Sequence, residues 1–206
     1  MIIAVIANKV QKEELLARGI TGEARVEWLD HPGALPGATA IIDLLYTPLD
    51  YPEALLAQKA TLFFINQVEE TATGWPAHFI RFNGWPGFLQ SPLLEAACSD
   101  DTVKKKAEEI IPVFNKKIEW VPDIPGFLSA RVLAAVINEA FFALEEGVSS
   151  KSAIDTAMKL GTHYPYGPFE WCDKIGSSAI FHLLSRLAEI NPRYHPSALL
   201  QKEATR

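Results

Sequence analysis

Cysteines, paired histidines and long apolar runs are all scarce in this chain of 206 residues. Its two cysteines, Cys98 and Cys172, stand far apart and outside any Cys-x-x-Cys pair. The sequence therefore predicts neither a disulfide framework nor a thiolate metal site. The five histidines form no His-x-His or His-x-x-x-His pair, so we expect the protein to work without a bound metal.

The charge balance excludes another group of functions. The chain has 19 Lys and Arg against 25 Asp and Glu, a formal net charge of -6, which suits neither nucleic acid nor an anionic membrane surface. No run approaches the roughly 18 apolar residues of a membrane span. The apolar N-terminus lacks the basic residues and the cleavage site of a signal peptide. We therefore expect a cytoplasmic protein that binds neither nucleic acid nor membrane.

The remaining composition is that of a globular protein, with 49% hydrophobic residues, enough for one sizeable core or two modest ones. In the first 120 residues, short apolar runs typical of strands alternate with helical patterns. This alternation favours a mostly parallel sheet with helices on its faces. The predicted strands are 2–7, 24–30, 38–46, 61–67, 78–85, 92–99 and 116–122, and the predicted helices are 10–19, 51–60 and 100–114.

A composition change near residue 121 predicts a domain boundary. Two prolines flank a turn-forming aspartate in Val-Pro-Asp-Ile-Pro, so we predict domains at 1–121 and 122–206. Apolar residues at three- and four-residue steps then predict a helix opened by Pro125 and Gly126 and closed by Gly147. Further helices are predicted at 150–160, ending at Gly161, and at 177–190. The exposed apolar surface of such a helical domain often finds a partner chain.

The second domain also resembles a known family. The stretch DIPGFLSARVLAAVINEAFFALEEGVSSKSAIDTAMKLGTHYPYGPFEWCDKIG is similar to the C-terminal domain of the 3-hydroxyacyl-CoA dehydrogenases, in which D-T-P-G-F-I-x-N-R opens a helix and G-x-x-x-P-x-G-P-F-E-x-x-D-x-x-G joins two others. PAHFIRFNGWPGFLQSPLLE aligns without a gap on the family's P-x-R-F-I-G-x-H-F-F-N-P segment and the L-V-E that follows it. The resemblance implies an α/β protein: a trimmed Rossmann-like N-terminal domain followed by the family's all-α domain.

The resemblance implies NAD-dependent oxidation of a 3-hydroxyacyl-CoA by a homodimer assembled through the helical domains. In the family, a histidine takes the hydroxyl proton, a glutamate orients it, and a serine and an asparagine hold the substrate and the histidine. The alignment places Asn83 at the histidine position, Glu95 at the glutamate, Val68 at the serine and Ala130 at the asparagine. An amide cannot take up a proton near neutral pH, so the general base is missing. Shifting the alignment by five residues would place His78 at the histidine position, but the surrounding residues would then no longer match the family's segment.

The cofactor region departs from the family as well. Family members carry G-x-G-x-x-G after the first strand, so that backbone can approach the pyrophosphate at a helix N-terminus. Here VIANKVQKEELL contains no glycine. Asp30 stands where an NAD-binding protein places its ribose acid, and Asn66 matches the asparagine of the family's N-x-S-S segment; these two are the candidate cofactor contacts. Asp30 also suits a turn before His-Pro-Gly. The chain from 30 to 38 is too short for the helical excursion that helps bind CoA in the family.

Two functions stay open. The first is a 3-hydroxyacyl-CoA dehydrogenase-like protein that is catalytically degenerate or repurposed, keeping a dimeric scaffold and the binding of an acyl-CoA, a nucleotide or a protein partner. The second is an active NAD(P)-dependent oxidoreductase with rearranged catalytic residues, in which Glu95 itself acts as the base. General acid–base catalysis contributes about 10²–10⁴-fold, so the loss of the histidine favours the first function.

Overall fold

Two compact units make up the chain. A computed structural model describes residues 1–31, 37–47 and 61–205, and they divide into Met1–Phe127 and Leu128–Arg206. The helix predicted at 51–60 lies outside the described residues. None of the helices in the described part is long and apolar enough to cross a bilayer.

The first unit is built on a seven-stranded sheet with the order β2-β1-β3-β4-β5-β6-β7. The first five strands along the chain are mutually parallel. β6 runs antiparallel to β5, and β7 is parallel to β6. This sheet confirms the mostly parallel α/β fold. The strands are β1 Ile2–Ile6, β2 Arg25–Leu29, β3 Ala40–Asp43, β4 Leu62–Asn66, β5 Phe79–Phe82, β6 Leu93–Ala97 and β7 Lys117–Trp120.

The two described helices of the first unit pack on one face of this sheet. Helix α1, Lys9–Leu16, and helix α2, Asp101–Ile110, belong to the first unit, and a 3₁₀ turn at Ile111–Phe114 continues α2. Leu15 of α1 and Ala107 of α2 pack into the hydrophobic core on one face. The core on the other face contains Ala4, Ile6, Ala38, Ile41, Phe63, Ile65 and Phe79.

The third strand is shorter than the sequence predicted. The prediction ran from 38 to 46, whereas β3 ends at Asp43. The fully buried Asp43 side chain accepts a hydrogen bond through Oδ1 from the backbone nitrogen of Leu45 at 2.8 Å. This local turn bends the backbone out of the ladder directly after the strand.

The second unit is helical throughout. It begins with α3, Ser129–Glu145, whose buried residues include Leu133, Ile137 and Phe141. The predicted helix at 177–190 is confirmed, and a 3₁₀ turn at Pro192–Tyr194 follows it. Two short helices, of 8 and 7 residues, had no counterpart among the predictions. The remaining helices are α4 Lys151–Thr162, α5 Pro168–Ile175, α6 Ser177–Ile190 and α7 Ala198–Ala204.

Two predicted helix boundaries were wrong, and one was right. Gly126 and Phe127 have φ of 79° and 49°, a left-handed conformation that cannot open a right-handed helix, so α3 begins only at Ser129. Gly161 lies inside α4, and the left-handed residue after that helix is His163, with φ 57°. Gly147, with φ 70°, follows the end of α3 as predicted.

A buried aspartate fixes the junction between α4 and α5. The backbone nitrogen of Phe169 donates to Asp155 Oδ1 at 2.8 Å, which satisfies a free donor in the first turn of α5. Gly167 stands directly against that side chain, since a Cβ added there would lie 2.3 Å from Asp155 Oδ1. Only glycine therefore fits at this position without a shift of its neighbours.

A buried asparagine ties the end of the chain to α3. Asn138 Nδ2 donates to the carbonyl of His195, and Asn138 Oδ1 accepts from the nitrogen of Ser197, both at 2.9 Å. The hydroxyl of Ser197 then caps α7 by accepting from the nitrogen of Leu200 at 3.1 Å.

Candidate functional site

The four predicted site residues lie at one edge of the sheet. Asp30 follows β2, Asn66 ends β4 and Asn83 follows β5, so each stands at the carboxyl end of a parallel strand. Glu95 lies on the antiparallel β6, and its carbonyl accepts from the nitrogen of Asn83 at 3.0 Å. Ligands of open α/β sheets bind at this edge, where neighbouring connections diverge.

Asn83, at the position of the family's histidine, shapes a turn. Its side chain is buried, and Oδ1 accepts from the nitrogen of Trp85 at 3.3 Å, in the manner of an Asx turn. Glu95 is directly across the ladder, so the residue spacing read from the sequence does place the two positions side by side. The local geometry holds an amide beside a carboxylate, and the match of these two positions to the family's histidine and glutamate stays a prediction.

Asn66 links three strand ends. Its Nδ2 donates to the carbonyl of Leu44 at 3.2 Å, and its Oδ1 accepts from the nitrogen of Gly84 at 2.9 Å. A Cβ on Gly84 would lie 2.8 Å from Asn66 Cγ and 2.9 Å from Leu44 Cδ2. Both ends of the Asn66 amide are therefore engaged within the sheet edge. Its predicted contact with a cofactor stays a prediction.

The turn between β1 and α1 is closed by reciprocal capping. Asn8 Oδ1 accepts from the nitrogen of Gln11 at 2.9 Å, and Gln11 Oε1 accepts from the nitrogen of Asn8 at 3.1 Å, which is a capping box. The buried Gln11 side chain also donates from Nε2 to the carbonyl of Leu44 at 2.9 Å. Our reading of the sequence missed this role of Gln11, although the Asn-x-x-Gln spacing resembles a capping-box signature.

These residues do not fit a dinucleotide in the manner of the family. A pyrophosphate at a helix N-terminus needs backbone donors and a close backbone approach. At α1, the nitrogens of Asn8 and Gln11 already donate to side chains, and side chains stand where the family has glycines. Asp30 is exposed after β2, and its ribose contact stays a prediction. For metals, the described residues contain no group of three or more His, Cys, Asp or Glu that could hold an ion.

A buried arginine clamps the segment that carries Val68. The carbonyl of Val68 accepts from Arg81 Nη1 at 3.3 Å and from the nitrogen of Gly126 at 2.8 Å. Arg81 Nη2 donates to the carbonyl of Ile124 at 2.7 Å, and its guanidinium lies 3.8 Å from the ring centroid of Phe127. Val68, which the sequence resemblance aligns with the family's serine, is an enclosed apolar side chain.

The charge of Arg81 is balanced within the same unit. Its Nε lies 2.7 Å from Asp123 Oδ1, and that carboxylate also accepts through Oδ2 from the nitrogen of Ala72 at 2.9 Å. Burial lowers the pKa of Arg81 to about 10, and Asp123 opposes that shift. The guanidinium is therefore charged at neutral pH. Sequence reasoning missed Arg81, whose signal was a single charge in the otherwise apolar strand Phe-Ile-Arg-Phe.

The two other positions considered from the sequence carry apolar contacts. Ala130 is fully buried in the first turn of α3, and its methyl group supplies no hydrogen bond. His78 lies against two aromatic rings, with centroid distances of 5.6 Å to Phe63 and 5.0 Å to Phe79. His78 precedes β5, whereas the position aligned with the general base follows it.

The first unit also contains a cavity of about 660 Å³. Its aromatic and aliphatic lining includes Trp75, Phe79 and Trp120, and its polar lining includes Cys98 and Lys104. Burial raises the pKa of the Cys98 thiol, so this group is a weak nucleophile at neutral pH. A volume of this size, lined by both aromatic and polar side chains, is typical of small-molecule sites.

Comparison with protein families gives one match that covers the helical unit. Residues 126–205 match the model of the 3-hydroxyacyl-CoA dehydrogenase C-terminal domain. The chain is 34% identical over 156 residues to a 3-hydroxybutyryl-CoA dehydrogenase of Bradyrhizobium diazoefficiens, covering 73% of this chain and 53% of the relative. A probable 3-hydroxybutyryl-CoA dehydrogenase of Bacillus subtilis is 42% identical over 156 residues, covering 73% of this chain and 54% of the relative. The chain spans about half the length of these relatives.

Solved structures show the same fold over nearly the whole chain. The crystal structure of FadB2 from M. tuberculosis superposes with a TM-score of 0.74 at 16% identity, covering 98% of this chain and 92% of that one. The (S)-3-hydroxybutyryl-CoA dehydrogenase PaaH1 from Ralstonia eutropha gives a TM-score of 0.72 at 20% identity, with the same coverage. At these identities the likeness establishes the fold: a Rossmann-like domain followed by a helical one.

Proposed function

The chain belongs to the 3-hydroxyacyl-CoA dehydrogenase family, and from that premise we propose that it is a degenerate or repurposed member, which keeps the scaffold without the NAD-dependent oxidation. The observation that carries the proposal is Asn83. Oxidation of a hydroxyl group by hydride transfer requires a base for the hydroxyl proton, and the amide at this position cannot supply one. Its oxygen accepts a backbone hydrogen bond from Trp85 instead.

The competing function is an oxidoreductase in which Glu95 has taken over as base. Glu95 supports this alternative because it is half-buried and directly opposite Asn83 in the ladder. A carboxylate in a partly desolvated place can serve as a general base. The same Glu95 side chain would then have to act without a histidine between it and the substrate.

One assay separates the two functions. NADH oxidation is followed with acetoacetyl-CoA at high protein concentration, with a Glu95→Gln variant alongside. Degeneracy predicts no rate above background in either protein. A rate in the unaltered chain that disappears in Glu95→Gln would establish the rearranged enzyme and refute our proposal. A Glu119→Gln variant, which changes the residue paired with Glu95 on β7, is the matched control.

We include binding of an acyl-CoA or a related small molecule in the proposal. The cavity of about 660 Å³ supports it, because Trp75, Phe79 and Trp120 can surround an apolar chain and Lys104 supplies a cation. Calorimetry with octanoyl-CoA, CoA and octanoate tests which part of the ligand is recognised. Ser99→Phe, at the exposed rim, should weaken binding at least tenfold, whereas Ser149→Phe in the second unit should leave it unchanged. Equal affinity of both variants would refute this location.

We also include a homodimer assembled through the helical unit. Val132 on α3 is 52% exposed and lines a cavity of about 540 Å³ together with Val136, Phe142 and Leu184. An exposed apolar patch of this kind supports a protein interface. Light scattering after size exclusion should give a dimer that Val132→Glu dissociates, with Leu160→Glu on α4 as the control. A monomeric wild-type chain would contradict the dimer.

A cytoplasmic location completes the proposal. It rests on composition alone: the chain has only two cysteines in 206 residues and they stand far apart, which suits a reducing compartment where disulfides are rare. Cell fractionation with an epitope-tagged chain tests it, and recovery of the protein outside the cytoplasmic fraction would contradict it.

A further inference from the structure

We propose that Gln11 and Asn66 close the nucleotide crevice of the first unit by binding one backbone carbonyl, that of Leu44, so that this chain's own amides hold together the sheet edge where family members place a dinucleotide. The inference rests on the proposed function and deepens it. It concerns cofactor binding, whereas the lost base concerns turnover, so the two can fail separately.

The carbonyl of Leu44 lies at the switch point of the sheet. β1 and β3 are neighbours, with β2 on the far side of β1 and β4 on the far side of β3, so the strand order reverses between β1 and β3. Such a reversal marks the ligand crevice of doubly wound folds. Leu44 directly follows β3, and its nitrogen donates to the carbonyl of Ile6 in β1 at 2.9 Å. A side chain that donates a hydrogen bond to the Leu44 carbonyl therefore lies at the carboxyl ends of β1 and β3.

Two side chains use this carbonyl at once. Gln11 reaches it from α1 through Nε2 at 2.9 Å, and Asn66 reaches it from β4 through Nδ2 at 3.2 Å. A carbonyl oxygen has two lone pairs, so these two donors saturate its hydrogen-bonding capacity. Gln11 is only 6% exposed, so its side chain is buried between α1 and the strand ends.

The same network continues to β5. Asn66 Oδ1 accepts from the nitrogen of Gly84, and the absence of a side chain at Gly84 allows the close contact with Asn66 and Leu44. Beyond it, the nitrogen of Gly87 donates to Glu14 of α1 at 2.6 Å. Hydrogen bonds within the protein thus join the segments at the ends of β3, β4 and β5 to α1.

A dinucleotide that approached the Leu44 carbonyl would have to displace the Gln11 side chain. That movement breaks the bond to Leu44 and the reciprocal cap with Asn8 together, and it leaves buried polar groups without partners. The first turn of α1 offers no glycine that would let the pyrophosphate approach beside Gln11. Binding of a dinucleotide would therefore destabilise the carboxyl end of the sheet.

The test measures NADH binding and side-chain exchange on the full chain. We expect NADH and ADP-ribose to show no saturable binding below millimolar concentration in calorimetry. By NMR, the side-chain NH₂ groups of Gln11 and Asn66 should exchange with solvent at least tenfold more slowly than that of the exposed Gln201. Gln11→Ala should lower the melting temperature by several degrees, whereas Glu13→Ala, on the exposed face of α1, should not.

Specific outcomes would overturn the closure. Saturable NADH binding in the micromolar range that shifts the Gln11 and Asn66 resonances would show an open crevice. Binding of this kind without turnover would refute the closure and leave the proposed degeneracy standing. Fast exchange of the Gln11 amide, together with an unchanged melting temperature in Gln11→Ala, would show that the side chain does not hold the edge.

Discussion

Arg81 and Asp123 form an ion pair in which the arginine side chain is 0% exposed and the aspartate side chain 35% exposed. Arg81 stands in the middle of β5, and Asp123 lies in the Pro-Asp-Ile-Pro segment after β7. The pair joins two segments that are 42 residues apart in the chain. The Asp-Ile-Pro-Gly-Phe segment, which resembles the family's D-T-P-G-F, is thus held within the first unit by a charge buried in the sheet.

Arg81→Met should strongly destabilise the first unit. The change removes one donor from the carbonyls of Val68 and Ile124, which keep the backbone nitrogens of Gly126 and Phe127. Removing one partner of a buried ion pair costs about 3–5 kcal/mol. Because Asp123 is partly solvated, we expect the lower end of that range. Urea unfolding measures the loss. Arg25→Met is the matched control, since Arg25 pairs with Glu27 on the surface and should change stability by less than about 1 kcal/mol. Similar losses in both variants would contradict the clamp.

Gly167→Ala and Gly161→Ala should act in opposite directions. A Cβ at Gly167 meets Asp155 at 2.3 Å, so the junction must shift, and we expect a loss of about 1–3 kcal/mol. Gly161 lies inside α4 with nothing within 4 Å of its Cβ position, so alanine should stabilise that helix by about 0.5–1 kcal/mol. Thermal unfolding of the two variants measures both effects. Two destabilised variants would show that α4 is not helical through Gly161.

The free energy of unfolding should increase with pH above about 8 because Lys116 is buried. Lys116 is 3% exposed and donates to the carbonyls of Leu89 and Ser91. Burial lowers its pKa to about 8, with Arg18 acting in the same direction and Glu14 against it. Between about pH 8 and the unfolded-state pKa of about 10.4, the unfolded chain binds more protons than the folded one, so the free energy of unfolding increases with pH. The neutral amine keeps two donors for its two carbonyls.

The control for this pH effect is Lys116→Met. Denaturant unfolding at pH 7.5 and pH 9.5 should show the wild type gaining about 1–2 kcal/mol relative to the variant over that interval. A constant difference between the two proteins would mean that Lys116 keeps its ordinary pKa in the folded chain.

Replacing Asn83 with histidine should not by itself restore the family's reaction. The imidazole would stand beside Glu95, but Val68 and Ala130 still lack the polar groups of the family, and Gln11 still occupies the edge at Leu44. We expect NADH-dependent reduction of acetoacetyl-CoA by Asn83→His to stay within tenfold of background. A gain of 10² or more, the scale of one general base, would show that the histidine was the single missing part.

The fold was largely predictable because its signals are local. Apolar runs at the strands and the three- and four-residue steps of α3 directly reflect the burial of those faces. Helix boundaries were harder, because glycine marks a helix end only when it is left-handed. Gly147 is left-handed, whereas at the end of α4 that conformation belongs to His163, two residues beyond Gly161.

The adjacency of Asn83 and Glu95 could be predicted from the sequence, whereas their role in a functional site stays a prediction. The spacing of Asn83 and Glu95 matched a ladder pair, since strand register converts residue separation into adjacency. The closure at Leu44 could not be predicted, because its acceptor is a backbone carbonyl and its donors come from distant parts of the chain. The role of Arg81 could not be predicted for a related reason. Its partners are mostly backbone carbonyls, which every residue type carries, so the sequence does not reveal them.

The cavity lined by Cys98 also offers a selective position for a label. The second thiol, Cys172, is buried in the helical unit, and burial raises its pKa to about 12. Because the thiolate is the reactive form, a maleimide at mildly alkaline pH should attach to Cys98 well before Cys172. A spin label or fluorophore can therefore be placed beside Trp75 and Trp120 in the natural sequence, without first removing a competing cysteine.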